Sequence, residues 1–107
     1  MSELRYVVLH HTGIDEPHFD LLFQWPDSPS LGSMRCSDWP PNAATTFHRI
    51  ADHRALYLDY EGSLTQDRGN VHRVEAGACT LETTDPAGLL LTLSTGLKIQ
   101  VPPIPGK

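Results

Sequence analysis

His18 and Asp20 stand one residue apart in a stretch, His18 to Trp25, whose apolar residues alternate. If that stretch is a strand, residues two apart project from the same face, so an imidazole and a carboxylate lie side by side. Phe19, Leu21, Phe23 and Trp25 then take the opposite face. A histidine from the adjacent run Arg5 to His11 would complete a two-histidine, one-carboxylate set. Such a set suits manganese, iron or zinc and leaves open positions for water or substrate. His10 and His11 are neighbours in the chain, so they point to opposite faces and only one can join. The closeness of His11 to the following turn favours His10, and both remain candidates. Taken alone, His-x-Asp is also what an exposed strand with its polar face in water would show.

A second dense stretch lies at Asp52 to Gly62, D-H-R-A-L-Y-L-D-Y-E-G. His53 and Tyr57 share a strand face if the run is extended, and a histidine and a phenol can together hold or protonate a phosphate oxygen. Arg49 and Arg54 flank His53 and are the local candidates for a phosphate clamp, because a guanidinium fork matches phosphate oxygens. Asp52, Asp59 and Glu61 read as solvated charges, and His48 and His72 as surface residues.

These side chains need a scaffold. With 107 residues the chain is one domain, and a domain of that size buries roughly two thirds of its unfolded surface. Nine prolines and eight glycines cut it into short segments. Strands are expected at Arg5 to His11, His18 to Trp25, Leu31 to Ser37, Leu56 to Tyr60, Val71 to Glu75, Cys79 to Thr84, Leu89 to Thr95 and Leu97 to Val101. Asn42 to Asp52 reads either as a loop or as a strand around Thr45 to Ile50. Asp85 to Gly88 is a turn signal between two apolar runs and predicts a hairpin. The prolines of the Pro102 to Pro105 tail cannot continue a ladder. The expected fold is all-β: a small closed or partly open β-barrel of seven to eight short strands, with little helix.

The formal charge of −5 argues against a domain that grips nucleic acid by backbone charge alone. Contact with nucleic acid would have to run through a bound cation and a few local basic groups. Cys36 and Cys79, far apart and without a leader sequence, are expected to be reduced and packed. No membrane span is expected, and the composition points to a soluble cytoplasmic protein.

Set in order, the pieces resemble the 3′-phosphoesterase domain of bacterial ligase D, the end-healing module of non-homologous end joining. The matching text is His10-His11, then P-H-F-D-L-L-F at Pro17 to Phe23, S-M-R-C-S-D-W-P at Ser33 to Pro40, and A-D-H-R-A-L-Y-L-D-Y-E-G at Ala51 to Gly62. The resemblance spans roughly residues 5 to 82. It implies a β-barrel with a polar crater and manganese-dependent removal of a 3′-ribonucleoside and then a 3′-phosphate from DNA ends. His18, Asp20 and either His11 or His10 take the place of its metal ligands, with zinc as the alternative ion. His53 takes the place of its phosphate-contacting histidine, and Tyr57 that of its active-site tyrosine. Leu22 stands where that family has an arginine and Asp38 where it has a lysine, so the phosphate clamp is expected to be thinner. Two other readings therefore stand beside a DNA-end phosphoesterase. One is a non-catalytic phosphate-binding module recruited to a repair partner, such as a separate ligase or polymerase. The other is a metal phosphoesterase acting on a phosphorylated small molecule.

Overall fold

The computed structural model describes residues 4–64, 68–84 and 88–102. Among these described residues, eight strands form one antiparallel sheet: β1 Leu4–Thr12, β2 His18–Trp25, β3 Ser28–Cys36, β4 His48–His53, β5 Gly62–Ser63, β6 Asn70–Thr84, β7 Gly88–Leu93 and β8 Lys98–Val101. Their order is β4-β3-β2-β1-β6-β7-β8, with β5 paired to β6 off this path. The all-β expectation is borne out, as a curled half-barrel whose edges β4 and β8 do not pair with each other.

β1 sits in the middle of the sheet and is covered on both faces. Tyr6, Val7, Val8 and Leu9 are all buried, which is why its sequence is a continuous apolar run with no alternation. Tyr6 and Val8 join Leu21, Phe23, Met34, Leu91, Leu93 and Ile99 in one cluster. Residues of β2, β3, β7 and β8 meet there only because the sheet curls around them. Val7 and Leu9 join Leu22, Leu31, Leu58 and Val71 in a second cluster on the other face, with Tyr57, Tyr60 and Leu64 packed against it.

Two elements differ from the expectation. Leu56 to Tyr60 is not a strand, because Ala55–Leu58 forms a single 3₁₀ turn. Its bonds run from Tyr57 N–H to Arg54 O (3.1 Å) and from Asp59 N–H to Leu56 O (3.2 Å). Ala-Leu-Tyr-Leu lacks a β-branched residue, and a short i→i+3 turn lets Leu58 drop into the second cluster. Burying a leucine stabilises by roughly 1.5–3 kcal/mol, enough to pin so short a turn. Val71 to Glu75 and Cys79 to Thr84 are one continuous strand, β6, which pairs with β1 along its first part and with β7 along its second. The ambiguous 42–52 stretch resolves into a loop followed by β4. β6 and β7 pair as far as Thr84 and Gly88. The hairpin turn expected at Asp85 to Gly88 lies outside the described residues from 85 to 87, as does the tail from residue 103. Among the described residues no helix is long and apolar enough to cross a membrane.

Gly32 is paired with Phe23 in the β2–β3 ladder. A β-carbon placed on it would stand 2.3 Å from the Phe23 ring, and overpacking of this kind costs about 1–3 kcal/mol or more. Gly32→Ala should therefore lower the unfolding free energy by that amount, read as a lower urea midpoint at an unchanged slope. Cys36 and Cys79 are both free and buried, and burial pushes their thiols from an ordinary 9.0 up to about 11. The unfolded chain ionises them first, so they favour the fold below pH 9 and the benefit fades as pH climbs towards 11. Both should resist alkylation at pH 8 in the native protein and react at once in urea, as followed by mass spectrometry.

Candidate metal centre and its cleft

The β1–β2 register pairs His11 with His18, His10 with Phe19, and Leu9 with Asp20. His11, His18 and Asp20 thus share one face, where their candidate donor atoms all lie within 4.8 Å of one another. His10 takes the opposite face, its ring stacked on Phe19 at 4.4 Å. The lean towards His10 is corrected. Tyr6, Val7, Val8 and Leu9, the four residues just before it, are buried on both faces, so no alternation next to the pair betrays which parity faces His18.

The outer nitrogens of both histidines are occupied. His18 Nδ1 lies 2.9 Å from Glu16 O, and His11 Nε2 lies 2.6 Å from Arg68 O. A carbonyl oxygen only accepts, so each of these nitrogens carries the proton. In the neutral rings the inner atoms, His11 Nδ1 and His18 Nε2, are then bare lone pairs facing each other at 3.2 Å. Asp20 Oδ1 lies 3.5 Å from that same His18 Nε2, on a carboxylate whose side chain is only 5 % exposed. Two lone pairs and an anion converging on one point repel unless a cation sits among them. Backbone carbonyls that fix ring tautomers in this way are the usual outer support of a metal site. The donor set fits a divalent ion.

His11 and Asp20 line a cleft of ≈ 570 Å³ together with Arg35, His53, Arg54, Tyr57 and Arg68. His53 ends β4, and the 3₁₀ turn folds Tyr57 back to it, the two rings meeting edge to face at 5.7 Å. They adjoin through that turn, not through a shared strand face. The Ser33 hydroxyl donates to Leu31 O (3.1 Å), so its oxygen is left to accept from His53 Nδ1 at 2.8 Å. Ala51 O lies 3.2 Å from the same nitrogen. These contacts hold the proton on Nδ1 and leave Nε2 as the atom that can serve a ligand. The Tyr57 hydroxyl has no hydrogen-bond partner among the described residues.

Arg54 lies in the cleft and Arg49 does not. The Arg49 guanidinium stands over the Trp25 ring, 5.3 Å from its centre, and pairs with Asp52 at 3.2 Å. Arg49 is opposite Met34 in the β3–β4 ladder, so strand parity turns it to the face of the first cluster. The structure does not bring it into the cleft beside Arg54. Asp52 is more than a solvated charge, since it also accepts from Trp25 Nε1 (3.0 Å) and Ser30 Oγ (3.2 Å). Asp59 pairs at the surface with Arg5, and Glu61 accepts from the Arg73 backbone N–H at 2.8 Å. His48 and His72 are exposed.

Ser33, Arg35 and Arg68 escaped the sequence reading. Arg35 faces Asp20 only because the β2–β3 register shifts between Gln24 and Trp25; a plain hairpin closed by Trp25 and Ser28 would set Ser33 there, so the sequence carried no simple signal for it. Arg68 had none either, because its part depends on a backbone carbonyl. The chain matches no protein-family model and no curated protein.

Zinc binding followed by calorimetry tests the donor set. His11→Ala, His18→Ala and Asp20→Asn should each weaken it by about a hundredfold or more, at or beyond what the loss of an outer support costs. His10→Ala should leave it unchanged, despite a loss of stability from the vacated stack on Phe19.

Proposed function

We propose that this protein is a metal-dependent phosphoesterase of the ligase D 3′-phosphoesterase type, acting on 3′-phosphate or 3′-ribonucleotide ends of DNA. The observation that carries the reading is the convergence of His11 Nδ1, His18 Nε2 and the Asp20 carboxylate beside a cleft that also holds His53, Tyr57 and arginine side chains. The chain's own residues divide the work. His11, His18 and Asp20 would hold a divalent cation, manganese by the resemblance or zinc by the ligand types. Such an ion, when bound, supplies Lewis-acid polarisation of a phosphoryl oxygen.

His53 presents Nε2 to the cleft, anchored through Nδ1 by Ser33 and Ala51. Protonated there, it gives a proton to the departing oxygen; neutral, it accepts one from water. The Tyr57 hydroxyl is free to donate to a phosphoryl oxygen, and Arg54 supplies charge at the rim. A local group of cations inside a chain of net charge −5 suits recognition of one phosphate at a strand end better than tracking along a duplex.

A second reading has its own support. Leu22 is fully buried in the second cluster and Arg49 is held away from the cleft, so two expected cations are missing from it. A module that binds phosphate without turning it over, beside a separate ligase or polymerase, would show this pattern.

Phosphate release from a primer–template carrying a 3′-phosphate, with manganese titrated in, separates the two. The esterase reading expects release that needs the ion and vanishes in His18→Ala. It also expects kcat lower by about 10²–10⁴ in His53→Ala, with metal affinity kept. Metal bound by the wild type without release would establish the binding module. Release from a phosphorylated small molecule alone, insensitive to salt, would remove DNA as the substrate.

A further inference from the structure

We infer that Arg35 is the anion-contacting residue of the cleft, a guanidinium that braces the carboxylate of Asp20 with one edge and receives a phosphate oxyanion with the other. The inference rests on the reading of the cleft as a phosphate site and not on turnover. Arg35 stands opposite Asp20 across β2 and β3, and its Nε donates to Asp20 Oδ1 at 3.1 Å. A guanidinium carries five N–H groups in a planar fork. With Nε tied down, the plane of the group is set and its remaining edge is oriented before any ligand arrives. Nη1 and Nη2 have no partner among the described residues. The side chain is 42 % exposed, against 5 % for Asp20, so it reaches from a buried carboxylate out to solvent.

What it reaches into is decided by charge. Arg35 lines the cleft of ≈ 570 Å³ and also a second one of ≈ 660 Å³ beyond it. The second cleft is lined by Asp15 and Glu16, which repel a phosphate. The first holds Arg54. Its two carboxylates are already matched, Asp20 by Arg35 itself and Asp52 by Arg49, Trp25 and Ser30. An oxyanion therefore goes to the first cleft, and there it sits one guanidinium away from the His11–His18–Asp20 set. The same contact ties the two halves of the site: a side chain that positions a metal-binding carboxylate also meets the phosphate. The only competing account makes Arg35 a counter-ion for Asp20 and nothing more.

Calorimetric titration of inorganic phosphate into the 107-residue chain at low salt, with no metal added, distinguishes the two. The proteins are the wild type, Arg35→Gln, Arg35→Lys and, as a control for diffuse charge, Arg5→Gln, which loses a cation from an exposed pair with Asp59. Arg35→Gln should bind phosphate about tenfold to a hundredfold more weakly, the loss of a charge-assisted contact. Arg35→Lys should keep the fold, because it still offers Asp20 a charge, yet bind about tenfold more weakly, since one ammonium cannot serve both partners as a fork does. If Arg35→Gln does not fold, Arg35→Lys decides. Unchanged phosphate affinity in both folded variants, an equal loss in Arg5→Gln, or no binding by the wild type would overturn the inference. Phosphate binding that depends on Arg35 in a protein that never releases phosphate from DNA would sink the esterase reading and leave this inference standing.

Discussion

Everything at the candidate site depends on the pairing register of β1 with β2. With His11 opposite His18 and Leu9 opposite Asp20, two imidazoles and a carboxylate fall on one face. A slip of one residue would swing His10 into that position and send His11 towards Phe19. Burial on both faces prevents the slip. Tyr6 and Val8 fill one cluster while Val7 and Leu9 fill the other, and exchanging them would drive the Tyr6 ring into the space now held by Val7 or Leu9. The same packing that makes β1 unreadable for parity makes its register rigid.

Around that register, main-chain carbonyls and one serine hydroxyl do the chemical tuning. Glu16 O and Arg68 O occupy the outer nitrogens of the two histidines, Ser33 and Ala51 do the same for His53, and each leaves one ring atom for a ligand. The 3₁₀ turn at Ala55–Leu58 is fixed by Leu58 in the second cluster, and Tyr57 is carried into the cleft with it. The scaffold thereby converts hydrophobic burial into the placement of polar atoms, which is how a small domain can hold several catalytic types in one cleft.

The sheet was legible where alternation was. β2 has the bounds expected of it, His18 to Trp25, and its two faces divide as the alternation of its residues predicts. The His-x-Asp pair was legible for the same reason. What stayed hidden depends on longer-range facts. The choice between His10 and His11 turns on register, and β1 has no polar alternation to report it. Leu56 to Tyr60 looks extended by its aromatic content, but its backbone follows the need to bury Leu58. Arg49 and Arg54 both flank His53 in the chain, yet a register shift between Ile50 and His53 sets Arg49 opposite Met34 and His53 opposite Leu31, and Arg54, just beyond β4, lies in the cleft with His53. Arg35, distant in sequence, arrives from β3 because the hairpin brings it opposite Asp20.

The most direct test of the account is the protonation pattern of the two facing imidazoles. Long-range ¹H–¹⁵N correlation spectra of the metal-free protein at neutral pH should place a proton on His18 Nδ1 and on His11 Nε2. Adding zinc should then shift His18 Nε2 and His11 Nδ1 together, with both outer protons retained. The reverse tautomer on either ring, or zinc shifts confined to His10 or to the outer nitrogens, would mean that the lone pairs do not converge, and the metal centre described above would not exist.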